Sequence, residues 1–78
     1  MLESQIQAKI IKRLESEGWY VVKLIRTNKN GIPDLVCLKG YESMFVEVKA
    51  PRGGLSALQK IRIEEIEKKG IKVLVLRE

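Results

Sequence analysis

The chain has 78 residues, with fifteen Lys and Arg against ten Asp and Glu, a formal net charge of +5, one Cys and no His. A chain of this size buries only about 60–65% of the surface that its unfolded form exposes, so one thin-cored domain is expected, and a second subunit would cover what the core leaves open. The absence of His removes Ser-His-Asp and Cys-His catalysis, and Cys37 alone excludes an internal disulfide or a Cys-rich zinc site. Any chemistry therefore falls to carboxylates, Lys, Arg and amides. Apolar runs are short, and Glu3, Gln5 and Gln7 stand where a signal peptide would be basic and then apolar, so a cytoplasmic protein without a membrane segment is expected. Eight positive and three negative side chains lie between Lys23 and Arg62, which places the whole net charge in the middle of the chain and favours a polyanionic partner.

In chain order, Leu2, Ile6, Ile10 and Leu14 recur every four residues among polar ones, the stripe of an amphipathic helix, with Gly18 as its C-terminal stop. Trp19 to Ile25 is aromatic and β-branched and reads as a strand, and the polar run Arg26 to Pro33 reads as a loop. Asp34 to Lys39 and Met44 to Ala50 read as two strands of a hairpin joined by the four residues Gly40 to Ser43. After Pro51-Arg52-Gly53-Gly54, Ser56 and Gln59 form a capping box that opens a helix carrying Leu58, Ile61, Ile63 and Ile66. Gly70 ends it, and Ile71 to Leu76 is a last strand. The order α-β-β-β-α-β describes an α+β or α/β layer whose helices need a sheet to cover.

The hairpin concentrates the chemistry. With a four-residue loop, Lys39 opposes Met44, Val36 opposes Glu47 and Asp34 opposes Lys49. Asp34, Val36 and Leu38 then share a face with Phe45, Glu47 and Lys49, and Asp34 and Glu47 become diagonal neighbours at about 7–8 Å. Two carboxylates converging from that distance can share one oxygen-ligated divalent cation, with the Val48 carbonyl between Glu47 and Lys49 as a further hard ligand. The opposite face of the third strand, Met44, Val46, Val48 and Ala50, is wholly apolar and must pack on a helix. Phosphodiester hydrolysis needs a nucleophilic water and a stabiliser for the developing charge. A cation held by carboxylates beside an ammonium supplies both.

Gly31-Ile32-Pro33-Asp34 followed by Glu47-Val48-Lys49 resembles the signature of the PD-(D/E)XK nuclease superfamily. Over nearly the whole chain the frame is similar to its virus-type replication-repair nuclease (VRR-NUC) family, in the small stand-alone form found in phages and bacteria. Also matching are a first helix bearing an acid, Glu3, and a Pro/Gly turn followed by a helix carrying Gln59. The resemblance implies a single α/β domain over residues 1–78 with a restriction-endonuclease-like core, a central mixed sheet flanked by helices. It also implies a Mg²⁺-dependent (or Mn²⁺-dependent) DNA endonuclease similar to homodimeric Holliday-junction resolvases of DNA repair. Asp34 and Glu47 would be metal ligands together with the Val48 carbonyl, and Lys49 would act on the water or the scissile phosphate. Glu3 would be an outer ligand, and Gln59 would orient Lys49 or the nucleophile.

Plainer readings stand beside these. The capping box by itself explains Gln59, and the helix dipole favours an acid such as Glu3 in a first turn. Arg26, Lys29, Arg52 and Lys60 are either a solvated surface or the phosphate contacts of a DNA-binding face. Trp19 and Tyr20 are expected to pack in the core or at a subunit interface, and Cys37 to be a buried thiol. The rival to a nuclease is a non-catalytic double-stranded nucleic-acid-binding module. Asp34 and Glu47 argue against it, because both would repel phosphate unless a cation lay between.

Overall fold

The computed structural model describes residues 2–78. Helix α1 spans Glu3–Ser16, and its four-residue repeat places Ile6, Ile10 and Leu14 on one buried line. At its start the Leu2 N–H donates to Gln5 Oε1 at 2.8 Å. Its end is a Schellman motif: Gly18, at φ +96°, lets Gly18 N donate to Glu15 O and Trp19 N to Leu14 O. The chain thus reverses directly into the sheet.

Four strands follow: β1 (Tyr20–Lys23), β2 (Leu35–Lys39), β3 (Glu42–Lys49) and, after helix α2 (Ala57–Glu67), β4 (Lys72–Arg77). They lie in the order β1-β2-β3-β4, with the first two pairings antiparallel and β3 parallel to β4. The parallel step needs a crossover, and α2 provides it. This is the expected order α-β-β-β-α-β, with a mixed sheet flanked by helices.

Alternation along the strands sorts the two faces. Leu35 and Cys37 of β2 and Met44, Val46 and Val48 of β3 are buried against Ile6, Ile10 and Leu14 of α1, with Val21, Leu74 and Leu76 at the margins. Each fully buried aliphatic side chain contributes roughly 1.5–3 kcal/mol, so this one layer carries most of the core. Cys37 is a buried free thiol whose pKa is raised by desolvation. Trp19 packs partly against the core, with Lys39 Nζ 5.5 Å from its ring centroid.

The other face is only half covered. Helix α2 lies over the β4 side of that face and buries none of its residues fully. On the β1–β2 side Tyr20, Val22 and Leu38 remain 70%, 37% and 44% exposed.

The hairpin register differs from the sequence expectation. Lys39 pairs with Glu42, Cys37 with Met44 and Leu35 with Val46, so the connection is the two-residue turn Gly40-Tyr41. Gly40, at φ +60°, and Tyr41, whose φ is not positive, show the φ pattern of a type II′ hairpin turn, which suits the strand twist better than a wider loop. The slip is two residues, so every side chain keeps its face. Asp34 therefore comes level with Glu47 and not with Lys49, whose neighbour is Arg77 on β4. Strand β1 also stops earlier than Ile25, although Leu24 N still donates to Asp34 O at 2.8 Å.

Candidate active site

The site forms where β2 and β3 part. Asp34 immediately precedes β2, and its Oδ2 accepts the Val48 N–H at 2.9 Å. That bond fixes the carboxylate against β3 one residue beyond Glu47. The N–H and C=O of one strand residue project to the same edge, so the Val48 carbonyl also faces the Asp34 side. Pro33 is fully buried, and Gly31 is required twice over: its φ is +80°, and a Cβ there would lie 2.8 Å from Leu58 Cγ. Gly31-Ile32-Pro33-Asp34 is therefore the segment on which α2 seats. Leu58, one residue before Gln59, escapes a sequence reading because its partner is a glycine distant in the chain.

Glu47 points to the half-covered face yet is only 2% exposed. Its Oε2 accepts from Gln59 Nε2 at 3.3 Å and lies 3.5 Å from Lys49 Nζ. Burial pushes its carboxyl up to about 7, with Asp34 and Glu3 adding repulsion and Lys49 opposing both. Glu3, in the first turn of α1, completes the group: one carboxylate oxygen from each of Glu3, Asp34 and Glu47 lies within 4.8 Å of the others. Mg²⁺ binds oxygens at about 2.0–2.1 Å, so oxygens on opposite sides of one ion lie about 4 Å apart. Three hard carboxylate donors grouped this closely, one of them buried, fit a divalent cation.

Gln59 serves two roles at once. Its backbone N–H donates to Ser56 Oγ at 3.1 Å and its Oε1 accepts from Ser56 N at 2.9 Å, which is the capping box, while its Nε2 reaches Glu47. The two readings of this residue are compatible because the amide has a donor end and an acceptor end.

The structure brings together Glu3, Asp34, Glu47, Lys49, Gln59 and the Val48 backbone. Arg26, Lys29, Arg52 and Lys60 lie apart on exposed positions of the segments around this group. Arg26 and Lys29 belong to the loop before Asp34, Arg52 to the turn after Lys49, and Lys60 to α2 beside Gln59. Among the described residues, none of these four side chains makes a hydrogen bond or salt bridge within the chain. Their charges are available to an external anion.

The VRR-NUC domain family model matches residues 2–77. The chain is also 30% identical over 77 residues, 95% of its length, to the crossover junction endodeoxyribonuclease Hjc of Sulfurisphaera tokodaii, and it spans about half (51%) of that relative. With the mixed four-stranded sheet, the Pro33-Asp34 and Glu47-Val48-Lys49 elements on its parting strands and a family match over nearly every residue, the chain belongs to the VRR-NUC domain family of the PD-(D/E)XK nuclease superfamily.

Proposed function

We propose that this chain is a divalent-metal-dependent endonuclease that hydrolyses phosphodiester bonds in branched DNA, four-way junctions foremost, and that it acts as a homodimer with Mg²⁺ or Mn²⁺. The observation that carries this reading is the environment of Glu47. A carboxylate 2% exposed beside two other carboxylates is an unfavourable arrangement for the apo fold, and a cation among them relieves it. The substrate class is inferred from the Sulfurisphaera tokodaii relative, a crossover junction endodeoxyribonuclease. The dimer is inferred from the uncovered sheet face bearing Tyr20, Val22 and Leu38, which are 70%, 37% and 44% exposed.

Asp34 and Glu47 would hold the cation together with the Val48 carbonyl, and Glu3 would be an outer ligand. The bound cation supplies Lewis acidity at a phosphoryl oxygen and makes water more acidic. Asp34 is preoriented by the Val48 N–H, and Glu47 by the Gln59 amide and the Lys49 ammonium. Lys49, with its side chain 14% exposed, places a positive charge at the rim of the carboxylate group, where it offsets phosphate charge and orients the attacking water. Arg26, Lys29, Arg52 and Lys60 contact flanking phosphates, which sets position but not sequence preference.

The test is cleavage of a labelled four-way DNA junction beside linear duplex, flap and single strand, with Mg²⁺, with Mn²⁺ and with chelator, using the wild type, Asp34→Ala and Glu47→Ala. Paired symmetric junction cuts by the wild type alone support the reading. Cleavage of flap or single strand retains the nuclease and removes the resolvase. No cleavage with either metal, while both variants bind nucleic acid as the wild type does, replaces the enzyme by a double-stranded nucleic-acid-binding module.

A further inference from the structure

Two arginines within reach of the candidate site are not free cations. Arg62, on α2 and only 20% exposed at its side chain, donates Nε to the Asn30 carbonyl at 2.8 Å and Nη1 to Glu65 at 3.0 Å. Arg77, at the end of β4, donates Nε and Nη2 to the Gly53 carbonyl at 3.3 and 3.0 Å. Asn30 follows Lys29 in the loop that carries Arg26 and Lys29, and Gly53 follows Arg52. Each basic loop bordering the carboxylate group is thus tied by one guanidinium, reaching from an element placed later in the chain to a loop carbonyl.

We infer that Arg62 and Arg77 are positioning residues that hold the two phosphate-contacting loops in their DNA-receiving shape, and that they do so as hydrogen-bond donors and not as phosphate-binding charges. This rests on the nucleic-acid reading given above.

Three observations support the inference. The Arg26 loop has little else to hold it: Thr27 Oγ1 bonds locally to the N–H and C=O of Lys29, and Ile25 is 86% exposed. Arg26, Lys29 and Asn30 line one concavity of about 300 Å³, so the clamped carbonyl belongs to the surface that the free cations face. The contact of Leu58 with Gly31 adds a steric stop next to the Arg62 bond, which fixes where the loop ends but not how its tip is turned. On the other side Arg77 is paired with Lys49 in the β3–β4 register, so the same residue is level with the site and holds the loop leaving it. A guanidinium reaching a carbonyl restricts a loop at little entropic loss when the loop then meets phosphate, which is preorganisation.

The side-chain geometry provides a discriminating variant. Gln carries its Nε2 as many bonds from Cα as Arg carries its Nε, so Arg62→Gln keeps a donor aimed at Asn30 O and discards the charge. Arg62→Met keeps the bulk and loses the donor. Arg62→Lys keeps the charge and moves the donor one bond outward. The full chain would be assayed for anisotropy-detected binding of a four-way junction in Ca²⁺ and for steady-state cleavage in Mg²⁺, over a range of salt, with each variant combined with Lys29→Ala.

For Arg62→Met the expected result is KM raised about tenfold, the size of one lost charge-assisted hydrogen bond, with kcat unchanged. Arg62→Gln is expected within about twofold of wild type, with an unaltered salt dependence. Lys29→Ala should matter less in the Arg62→Met background than alone, because a loop already displaced has less of that contact to lose. Arg77→Met should raise KM in the same way, and its effect should couple to Arg52→Ala and not to Lys29→Ala. Equal KM for wild type and Arg62→Met overturns the inference. So does an Arg62→Gln protein that matches Arg62→Met with a salt slope reduced by about one, the sign of a direct phosphate contact. If Arg62→Met does not fold, Arg62→Gln and Arg62→Lys decide: retention by Gln and loss by Lys supports the clamp, and the reverse order overturns it. A wild-type protein that neither binds nor cuts branched DNA removes the proposed function itself, a result separate from any difference among these variants.

Discussion

Gln59 Nε2 donates to Glu47 Oε2 at 3.3 Å while Gln59 Oε1 closes the N-terminal cap of α2 on Ser56 N. The first turn of a helix is thereby joined to the most buried carboxylate of the molecule. Removing the amide therefore has two separable effects. Ser56→Ala should lower stability by about 1 kcal/mol through the cap and leave cleavage near wild type. Gln59→Ala should lower stability by a similar amount and also weaken activation by Mg²⁺ about 10–100-fold, the range for groups that orient a metal ligand. Urea denaturation and a Mg²⁺ titration of cleavage, run on both variants, make the comparison. Equal Mg²⁺ dependence for the two would reduce Gln59 to a cap.

The charge state of Glu47 should be visible in the stability of the metal-free protein. Its folded pKa is raised from 4.5 to about 7 by burial first and by Asp34 and Glu3 after that. A raised folded pKa means that the native state holds the proton longer than the unfolded chain does. The contribution is thus complete below about pH 4.5 and is lost as pH rises through 7. At about 1.4 kcal/mol per pH unit, the loss reaches at most about 3–4 kcal/mol. In chelator, Tm should fall between pH 5.5 and pH 8 in the wild type and change less in Glu47→Gln. Mg²⁺ should raise Tm more at pH 8 than at pH 5.5, because the cation binds the ionised carboxylate. A Tm in chelator that rises over this interval would contradict the assignment.

Much of this site was legible in the sequence because the features involved are local or depend only on parity. The four-residue repeat of α1, the stop at Gly18 and the Ser56–Gln59 box are each contained in a few residues. The convergence of Asp34 and Glu47 survived an incorrect register because a two-residue slip leaves every side chain on its face. The register itself was less accessible: Glu42 and Ser43 are polar and suit either a loop or the exposed start of β3, and only the turn at Gly40-Tyr41 decides. The contacts of Arg62 and Arg77 leave no pattern at all. Their acceptors are backbone carbonyls 32 and 24 residues away, and any residue type offers a carbonyl. Leu58 is similar, since its partner at Gly31 has no side chain to signal a contact.

Gly31 should tolerate no side chain. At φ +80° a non-glycine residue carries a backbone penalty of roughly 1–2 kcal/mol, and a Cβ placed 2.8 Å from Leu58 Cγ requires α2 to shift. Gly31→Ala is expected to destabilise by about 2–4 kcal/mol and to reduce cleavage, because α2 carries Gln59 away from Glu47 as it moves. Adding Leu58→Ala should recover activity more than stability: it removes the clash but leaves the backbone strain and opens a gap. Recovery of neither would mean that Leu58 is not the obstruction.

Lys49 distinguishes two chemistries by the response to conservative replacement. Arginine keeps a cation beside Glu47 Oε2, now 3.5 Å from Nζ, but cannot give up a proton near neutral pH. If the ammonium acts as charge and as an orienting donor, Lys49→Arg should retain cleavage within about tenfold, while Lys49→Met should lose about 10²–10⁴-fold. Single-turnover cleavage at saturating Mg²⁺ separates this from metal binding. Loss in Lys49→Arg as deep as in Lys49→Met would instead assign Lys49 the base.

The exposed face of β1 and β2 sets the last expectation. Tyr20 and Leu38 are directly paired and Val22 lies beside them, which makes a continuous apolar surface on the same side of the sheet as Glu47 and Lys49. A second copy placed there would bury this surface and join two carboxylate groups in one assembly, which paired cutting of the two strands needs. Leu38→Glu inserts a charge into the middle of that surface, at a position 44% exposed in the single chain, so the fold itself should be affected by less than about 1 kcal/mol. The wild type is expected to sediment as a dimer and Leu38→Glu as a monomer with an unchanged circular dichroism spectrum. In that monomer, junction cutting should uncouple, giving nicks in one strand where the wild type gives paired incisions. A wild type that sediments as a monomer at assay concentration and still makes paired incisions would separate symmetric cutting from this face.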